Sequence, residues 1–431
     1  MKQRNENRPR YKRTKVGWIP EEWDCIHLED IAKVNPTFDK PIVHDCNVTF
    51  LAMADISEQG IVLARQERAY NSVSKGFTSF RDGDILIAKI TPCFENGKGA
   101  LLYDLVNGIG FGSTEFHVIR ACKANRIFLY FWTQSRPFRA RGGANMTGSA
   151  GQKRVPTDFI KKYMIPLPSL PEQERIAEVL SAWEKAIALT DRLIDAKQRL
   201  KKGLMQQLLT GRIRFLEFGK SEELRTKSEI LKKGKLPQGW SVKYLGECFK
   251  ERNETDSSLP LLSITGKRGV ISRDDVDRKD TSNADKSKYK VIRIGDIGYN
   301  TMRMWQGVSA VSLLEGIVSP AYTICTPRKG HIANYYGNLF KYPPVVNLFH
   351  RYSQGLVNDT LNLKYHHFSQ IKVVVPEETE QKQIAQVLFA CDQEIQLLIR
   401  KRDVIKNQKK GLMQKLLTGE VRVSVSAMRS K

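Results

Sequence analysis

Apolar positions along the chain fall into two regimes. Between residues 172 and 211, and again between 380 and 419, they recur at alternating steps of four and three. The first stretch runs Ile176, Leu180, Trp183, Ile187, Ile194, Leu204 and Leu208; the second runs Ile384, Leu388, Ile395, Leu398, Ile405, Leu412 and Leu416. This spacing predicts two long helices, each with a narrow apolar seam fitted to one partner helix, and these residues are the candidate helix-pair packing set. Sequence signals mark their ends. Ser169 with Glu172 reads as a capping box, Pro171 suits a first turn, and Gly211 and Gly419 stand where a helix stops. A helix of about 37 residues rises roughly 55 Å at ~1.5 Å per residue, enough to hold two domains apart.

Elsewhere the runs shorten. Asp84 to Ile90, Glu115 to Ile119, Tyr322 to Cys325 and Lys372 to Val375 read as strands between turn signals, while Ile127 to Trp132 and Tyr335 to Phe340 read as aromatic helices packed on them. An α+β fold class follows: two α/β-mixed domains separated by two long helices, with an internal pseudo-twofold repeat. The expected division is a basic flexible arm at 1–16, a mixed domain at 17–168, a spacer helix at 169–211, a linker at 212–235, a second mixed domain at 236–376, a second spacer helix at 377–419 and a tail at 420–431.

The two halves are copies. Shifting the chain by 208 places aligns 172–211 with 380–419 without a gap, and 21 of the 40 pairs are identical, including Lys201-Lys-Gly-Leu-Met-Gln206 with Lys409-Lys-Gly-Leu-Met-Gln414. Upstream the likeness is weaker: Ile19-Pro-Glu-Glu-Trp23 with Leu236-Pro-Gln-Gly-Trp240, and Gly83-Asp-Ile85 with Gly295-Asp-Ile297. The helices stayed alike while the mixed domains diverged. Gly203 and Gly411 are out of place in a coiled coil, since an interior glycine costs about 1 kcal/mol against alanine. Two readings stand: a frayed last turn, or close approach of another chain at Gly203, Met205, Gly411 and Met413.

Charge narrows the function. With 70 Lys+Arg against 46 Asp+Glu the 431-residue chain carries +24, an imbalance suited to a polyanion such as nucleic acid. No apolar run approaches the ~18 to 20 residues of a membrane-spanning helix, so an anionic membrane is the weaker partner. Seven scattered cysteines without a C-x-x-C pair give no zinc or redox spacing and fit a reduced cytoplasm. Polar, basic loops between the strands carry the candidate DNA-binding residues: Lys89, Lys98, Arg139, Arg141, Lys153 and Arg154 in the first copy, Arg303, Gln306, Arg351, Asn358 and Lys364 in the second. Arg pairs with guanine edges, Asn and Gln with adenine, and Lys with phosphates. For any one of them a solvated surface position is the default; their concentration in matching places of two copies is what points to DNA.

Catalytic equipment is missing from the sequence. There is no phosphate loop, and Gly108-Ile-Gly-Phe-Gly112 reads as a hairpin rather than a cofactor turn. Asn35-Pro-Thr-Phe38 and Tyr342-Pro-Pro-Val345 each match only part of an adenine-methyltransferase loop. His366-His367 lacks an acidic cluster at ligand spacing, so no metal site is expected. No nucleophile, base and orienting group assemble.

The order domain, helix, domain, helix, with the helices repeated, resembles the specificity subunit of type I restriction-modification enzymes. Ile165-Pro-Leu-Pro168 through Pro171-Glu-Gln-Glu-Arg-Ile-Ala177, Leu204 to Gly211 and their copies carry the resemblance, as does Asp84 to Lys98. The resemblance implies that the mixed domains are target recognition domains reading the two halves of a bipartite, asymmetric double-stranded DNA site. It implies an antiparallel helix pair that sets the gap and docks methyltransferase and restriction subunits. S-adenosylmethionine, ATP and Mg are then expected on those partners, with no cofactor in this chain. The second copy departs from the pattern with Asn300-Thr-Met-Arg-Met-Trp-Gln306, so two different half-sites are expected. The rival reading is a coiled-coil scaffold that binds RNA or DNA without sequence preference. It does not account for domains that diverged while their helices stayed alike.

Overall fold

The structure is a computed structural model that describes residues 9–37, 46–149, 151–219, 236–266, 268–276, 285–357 and 360–424. Its contacts group into two units, Met1–Thr190 with Lys401–Lys431, and Asp191–Arg400. Both long helices are continuous, Leu170–Leu208 and Glu378–Leu417, and each contributes to both units. The division therefore falls inside the helices, not at their starts.

In the first unit an antiparallel sheet runs in the order Ala32–Val34, Phe116–Ala121, Ile85–Ala88, Gly99–Leu101. All four residues of Ile85–Ala88 are buried, as a continuous apolar run requires. Asp84, at the turn into that strand, is 1% exposed. Its carboxylate accepts from the Arg81 N–H and from Arg120 Nη2 at 2.7 Å, the pairing that a buried charge demands. A second sheet runs Gln66–Ala69, Asn47–Leu51, Ile109–Gly112, Thr78–Arg81. Here the glycine-rich run is an interior strand, parallel to Asn47–Leu51 and antiparallel to Thr78–Arg81, and not the hairpin its composition suggests. A Cβ on Gly110 would lie 2.1 Å from the Phe80 ring and one on Gly112 2.4 Å from the Leu51 carbonyl, so the glycines serve close packing. The expected flexible arm is ordered over its described part: Tyr11–Thr14 pairs with Gly17–Pro20, and Tyr11 Oη donates to the Gly419 carbonyl.

The second unit repeats the first antiparallel sheet in the same order: Phe249–Glu251, Tyr322–Pro327, Ile297–Asn300, Ser309–Val311. Asp296 occupies the place of Asp84, but its partners are Arg252 Nε at 2.8 Å and Thr326 Oγ1 at 2.8 Å. The buried charge is thus kept while its cation has moved off the neighbouring strand to Arg252, the residue just past Phe249–Glu251. Two smaller pairs, Leu262–Thr265 with Gly269–Ser272 and Lys290–Ile292 with Gly316–Val318, stand where the first unit has its second sheet.

Each unit is closed by parts of both helices running antiparallel. In the first, Ile176 and Leu180 share a core with Leu416, Met413 and Trp23; in the second, Ile384 and Leu388 share one with Leu208, Leu209 and Trp240. Leu204 and Leu412 are half-buried against these cores, and Trp183, Leu398 and Ile405 are half-buried as well. Ile187, Ile194 and Ile395 are buried further along the helices. At equivalent positions Lys409 pairs with Glu184 and Lys201 with Asp392.

Candidate nucleic-acid interface

In the first unit, the chain leaving strand Ile85–Ala88 turns through residues 89–98 and returns as Gly99–Leu101. The segment 147–154 is held against this turn by backbone bonds: Thr91 N–H to the Lys153 carbonyl, Val155 N–H to the Lys89 carbonyl, and a reciprocal pair between Thr147 and Arg154. The second unit uses the same layout. Leu363 N–H donates to the Thr301 carbonyl, and Gln354 and Asn362 exchange the bonds that Thr147 and Arg154 exchange. In both copies, then, a strand-end turn and a later loop are fastened side by side.

The fold brings Lys89, Lys98, Lys153 and Arg154 together around the first turn. Lys153 is exposed and Lys89 half-buried. Lys98 Nζ donates to the Met53 carbonyl at 2.9 Å, and Arg154 forms a forked pair with Glu115 that holds the carboxyl below its usual range. Arg139 has to be reassigned from DNA contact to loop support. It is 7% exposed, and its guanidinium donates to the carbonyls of Thr133, Phe94 and Gly97 while lying 4.8 Å from the Phe94 ring centroid. Burial without a carboxylate pushes its pKa down to about 10. An amphipathic helical spacing, Phe138 and Gly142 facing inward, turns this arginine to the core. Arg141, two residues further on, is exposed.

His117 is also buried, with Nε2 bonded to the Val155 carbonyl and Nδ1 to Asn35, and burial lowers its pKa. In the second unit Arg303 and Gln306 are exposed on the turn, Arg351 lies exposed in the last turn of the helix Pro343–Tyr352 and Lys364 precedes the helix Tyr365–Ser369. Trp305 shapes that turn: its indole N–H donates to the Met302 carbonyl and its ring lies edge-on to His350. Asn358 lies outside the described residues. Among the described residues no group of three His, Cys, Asp or Glu is placed to hold a metal, and no helix is long and apolar enough to cross a membrane.

The docking candidates separate. Met413 is 8% exposed in the first unit's core and Met205 packs half-buried against the second's, so both are core residues. Gly203 and Gly411 are exposed, and nothing lies within 4 Å of a Cβ built on either. The helices continue to Leu208 and Leu417, which removes the frayed-turn reading.

A duplicated junction was not anticipated from the sequence. Glu172, 3% exposed, accepts from Trp23 Nε1 at 3.0 Å and from Arg422 Nε at 2.6 Å; Glu380, 1% exposed, accepts from Trp240 Nε1 at 2.9 Å and Arg214 Nη2 at 2.7 Å. These bonds replace the expected capping box of Glu172 with Ser169. Beside each glutamate, Gln173 accepts from Asn125 N–H and donates to the Pro168 carbonyl, while Gln381 accepts from Ile332 N–H and donates to the Pro376 carbonyl. Gly211 and Gly419 end the helices at φ 68° and 71°, pressed on Pro237 and Pro20. The signal lay in the same 208-place shift, which pairs Arg214 with Arg422 just past the aligned block.

Residues 20–197 match the family described as the type I restriction modification DNA specificity domain. The chain is 39% identical over 201 residues to the type I restriction enzyme EcoEI specificity subunit of Escherichia coli, a match covering 44% of this chain and 33% of that protein. The matched stretch thus spans about a third of that relative's length. It is 27% identical over 433 residues to the type I restriction enzyme MjaVIII specificity subunit of Methanocaldococcus jannaschii, covering 94% of each. Among solved structures, a chain from a study of complex assembly and conformational transition of the type I R-M system superposes with a TM-score of 0.56 at 18% identity, covering 94% of this chain and 99% of that one. The S subunit of a type I restriction-modification system from M. genitalium gives a TM-score of 0.53 at 14% identity, covering 97% and 98%.

Proposed function

We propose that this chain, similar in residues 20–197 to the type I restriction modification DNA specificity domain, is the DNA-addressing component of a type I restriction-modification complex, each unit reading one half of a bipartite, asymmetric site. The observation that carries this is the pairing of sameness and difference. Both units keep one sheet order, one Glu–Trp–Arg junction and one way of fastening the strand-end turn, yet the turns present unrelated residues, Thr91-Pro-Cys-Phe-Glu-Asn-Gly97 in one and Thr301-Met-Arg-Met-Trp-Gln306 in the other. Related scaffolds with unlike reading surfaces suit two different half-motifs. Arg141, Lys153, Arg303, Gln306, Arg351 and Lys364 are the exposed candidates for phosphate and base contact.

The chain supplies the address and no chemistry of its own; methyl transfer and ATP-dependent cleavage belong to the methyltransferase and restriction subunits. The long helices set the unread gap, and the open faces at Gly203 and Gly411 receive partner chains. The test is enrichment of bound duplexes from a randomised pool, with the full-length chain and its methyltransferase partner. A split motif with a fixed gap is expected. Absence of enrichment at every salt concentration would favour the nonspecific scaffold. Lengthening the helices between Ile187 and Leu200 should change the gap and leave both half-motifs intact.

A further inference from the structure

The first unit contains a cavity of about 560 Å³ that the fastened loop reaches only at Thr147. Its wall draws on three separate segments. Lys15 follows the strand Tyr11–Thr14, Arg141 lies in the last turn of the helix Arg136–Ala144, and Lys162 caps the helix Thr157–Lys161. All three side chains are exposed, and among the described residues none forms an ion pair. The single carboxylate on the wall is Asp158, which leaves two positive charges uncompensated. The floor is apolar, built on Phe159 and Tyr163 with rings 5.6 Å apart in an edge-to-face contact.

Two of the three segments are tied down by hydrogen bonds outside the cavity. The hairpin carrying Lys15 is fixed by Tyr11 to the Gly419 carbonyl, and the Lys162 carbonyl is bonded to His27 Nδ1. Cations that converge on a fixed concavity repel one another until an anion enters, and arginine with lysines is the donor set that phosphate oxygens accept from. An apolar floor beside them suits the ring of a sugar. We propose that this cavity seats one sugar–phosphate segment of the DNA backbone, the phosphate held by Lys15, Arg141 and Lys162 and the deoxyribose resting on Phe159 and Tyr163. The seat rests on the DNA-addressing reading and adds to it a contact that fixes position without reading sequence.

The experiment compares the wild-type chain with R141Q/K162Q, each full-length and with the methyltransferase partner, by measuring affinity for a cognate and a scrambled duplex across salt. Each phosphate contact contributes about 0.9 to the slope of log affinity against log salt. The double variant should flatten the slope by about 0.9, weaken both duplexes by the same factor, roughly fivefold at 0.15 M salt, and leave the enriched motif unchanged. An unchanged slope, or a loss confined to the cognate duplex, overturns the seat. K15Q/K162Q, which alters only exposed lysines, gives the same readout if R141Q/K162Q fails to fold. Inorganic phosphate titrated onto the wild-type chain separates the sources: saturable phosphate binding with variant slopes unaltered would assign the cavity to a free anion and overturn the proposal. If the wild type enriches no split motif, the DNA-addressing reading fails; if it does and the slope stays put, the seat alone fails.

Discussion

Replacing Arg214 by methionine should destabilise the second unit far more than the equivalent replacement of Arg422 destabilises the first. Both arginines fork onto a buried glutamate beside a tryptophan. They differ in exposure: Arg214 and Glu380 are 3% and 1% exposed, whereas Arg422 is 39% exposed over a 4% exposed Glu172. Arg214→Met strips Glu380 of two of its three hydrogen bonds, leaving only the one from Trp240 Nε1. Removing one partner from a buried pair typically costs about 3 to 5 kcal/mol, because the remaining charge stays out of water. At the first junction solvent reaches the guanidinium and can hydrate the carboxylate once Arg422 is gone, so a loss of about 1 kcal/mol is expected there. The assay is urea unfolding of the full-length chain followed by tryptophan emission, since Trp23 and Trp240 lie at the two junctions. Equal losses, or a loss below about 0.5 kcal/mol for Arg214→Met, would refute the claim that burial makes the second junction the stronger one.

Gly203→Ala and Gly411→Ala should each raise helix stability by up to about 1 kcal/mol, since each glycine is interior and a Cβ meets nothing. The same changes should weaken co-purification of the methyltransferase chain; unaltered assembly would remove those glycines from the docking face. Arg139→Met takes a side-chain donor from the carbonyls of Thr133, Phe94 and Gly97, of which Phe94 keeps the Gly97 N–H, and should lower stability by about 2 to 3 kcal/mol in denaturant titrations. A surface DNA contact would instead leave the unfolding midpoint where it is. His117 has a depressed folded-state pKa, so the unfolded chain binds the proton more readily. Its contribution is complete above the unfolded value near ~6.5 and is lost as pH falls below it, so the stability slope below about pH 6.5 should flatten in His117→Gln.

The heptad runs, the 208-place repeat and the terminal glycines were enough to place two helices and a duplication, because helix periodicity and chain-reversing glycines act over a few residues. Strands at Ile85–Ala88 and Lys372–Val375 were legible for the same local reason. Which side of a short helix meets the core was not: residue type and loop position point to a surface cation at Arg139 and a docking residue at Met413, although one lies beneath a loop and the other inside a core. Nor could local pattern show that Glu172 meets Arg422 across 250 positions, or that Lys15, Arg141 and Lys162 share one cavity. Hydrophobic spacing determines what each segment becomes. Which charges end up desolvated, and beside which partner, depends on packing between segments far apart in the chain, and that was decided only in the folded molecule.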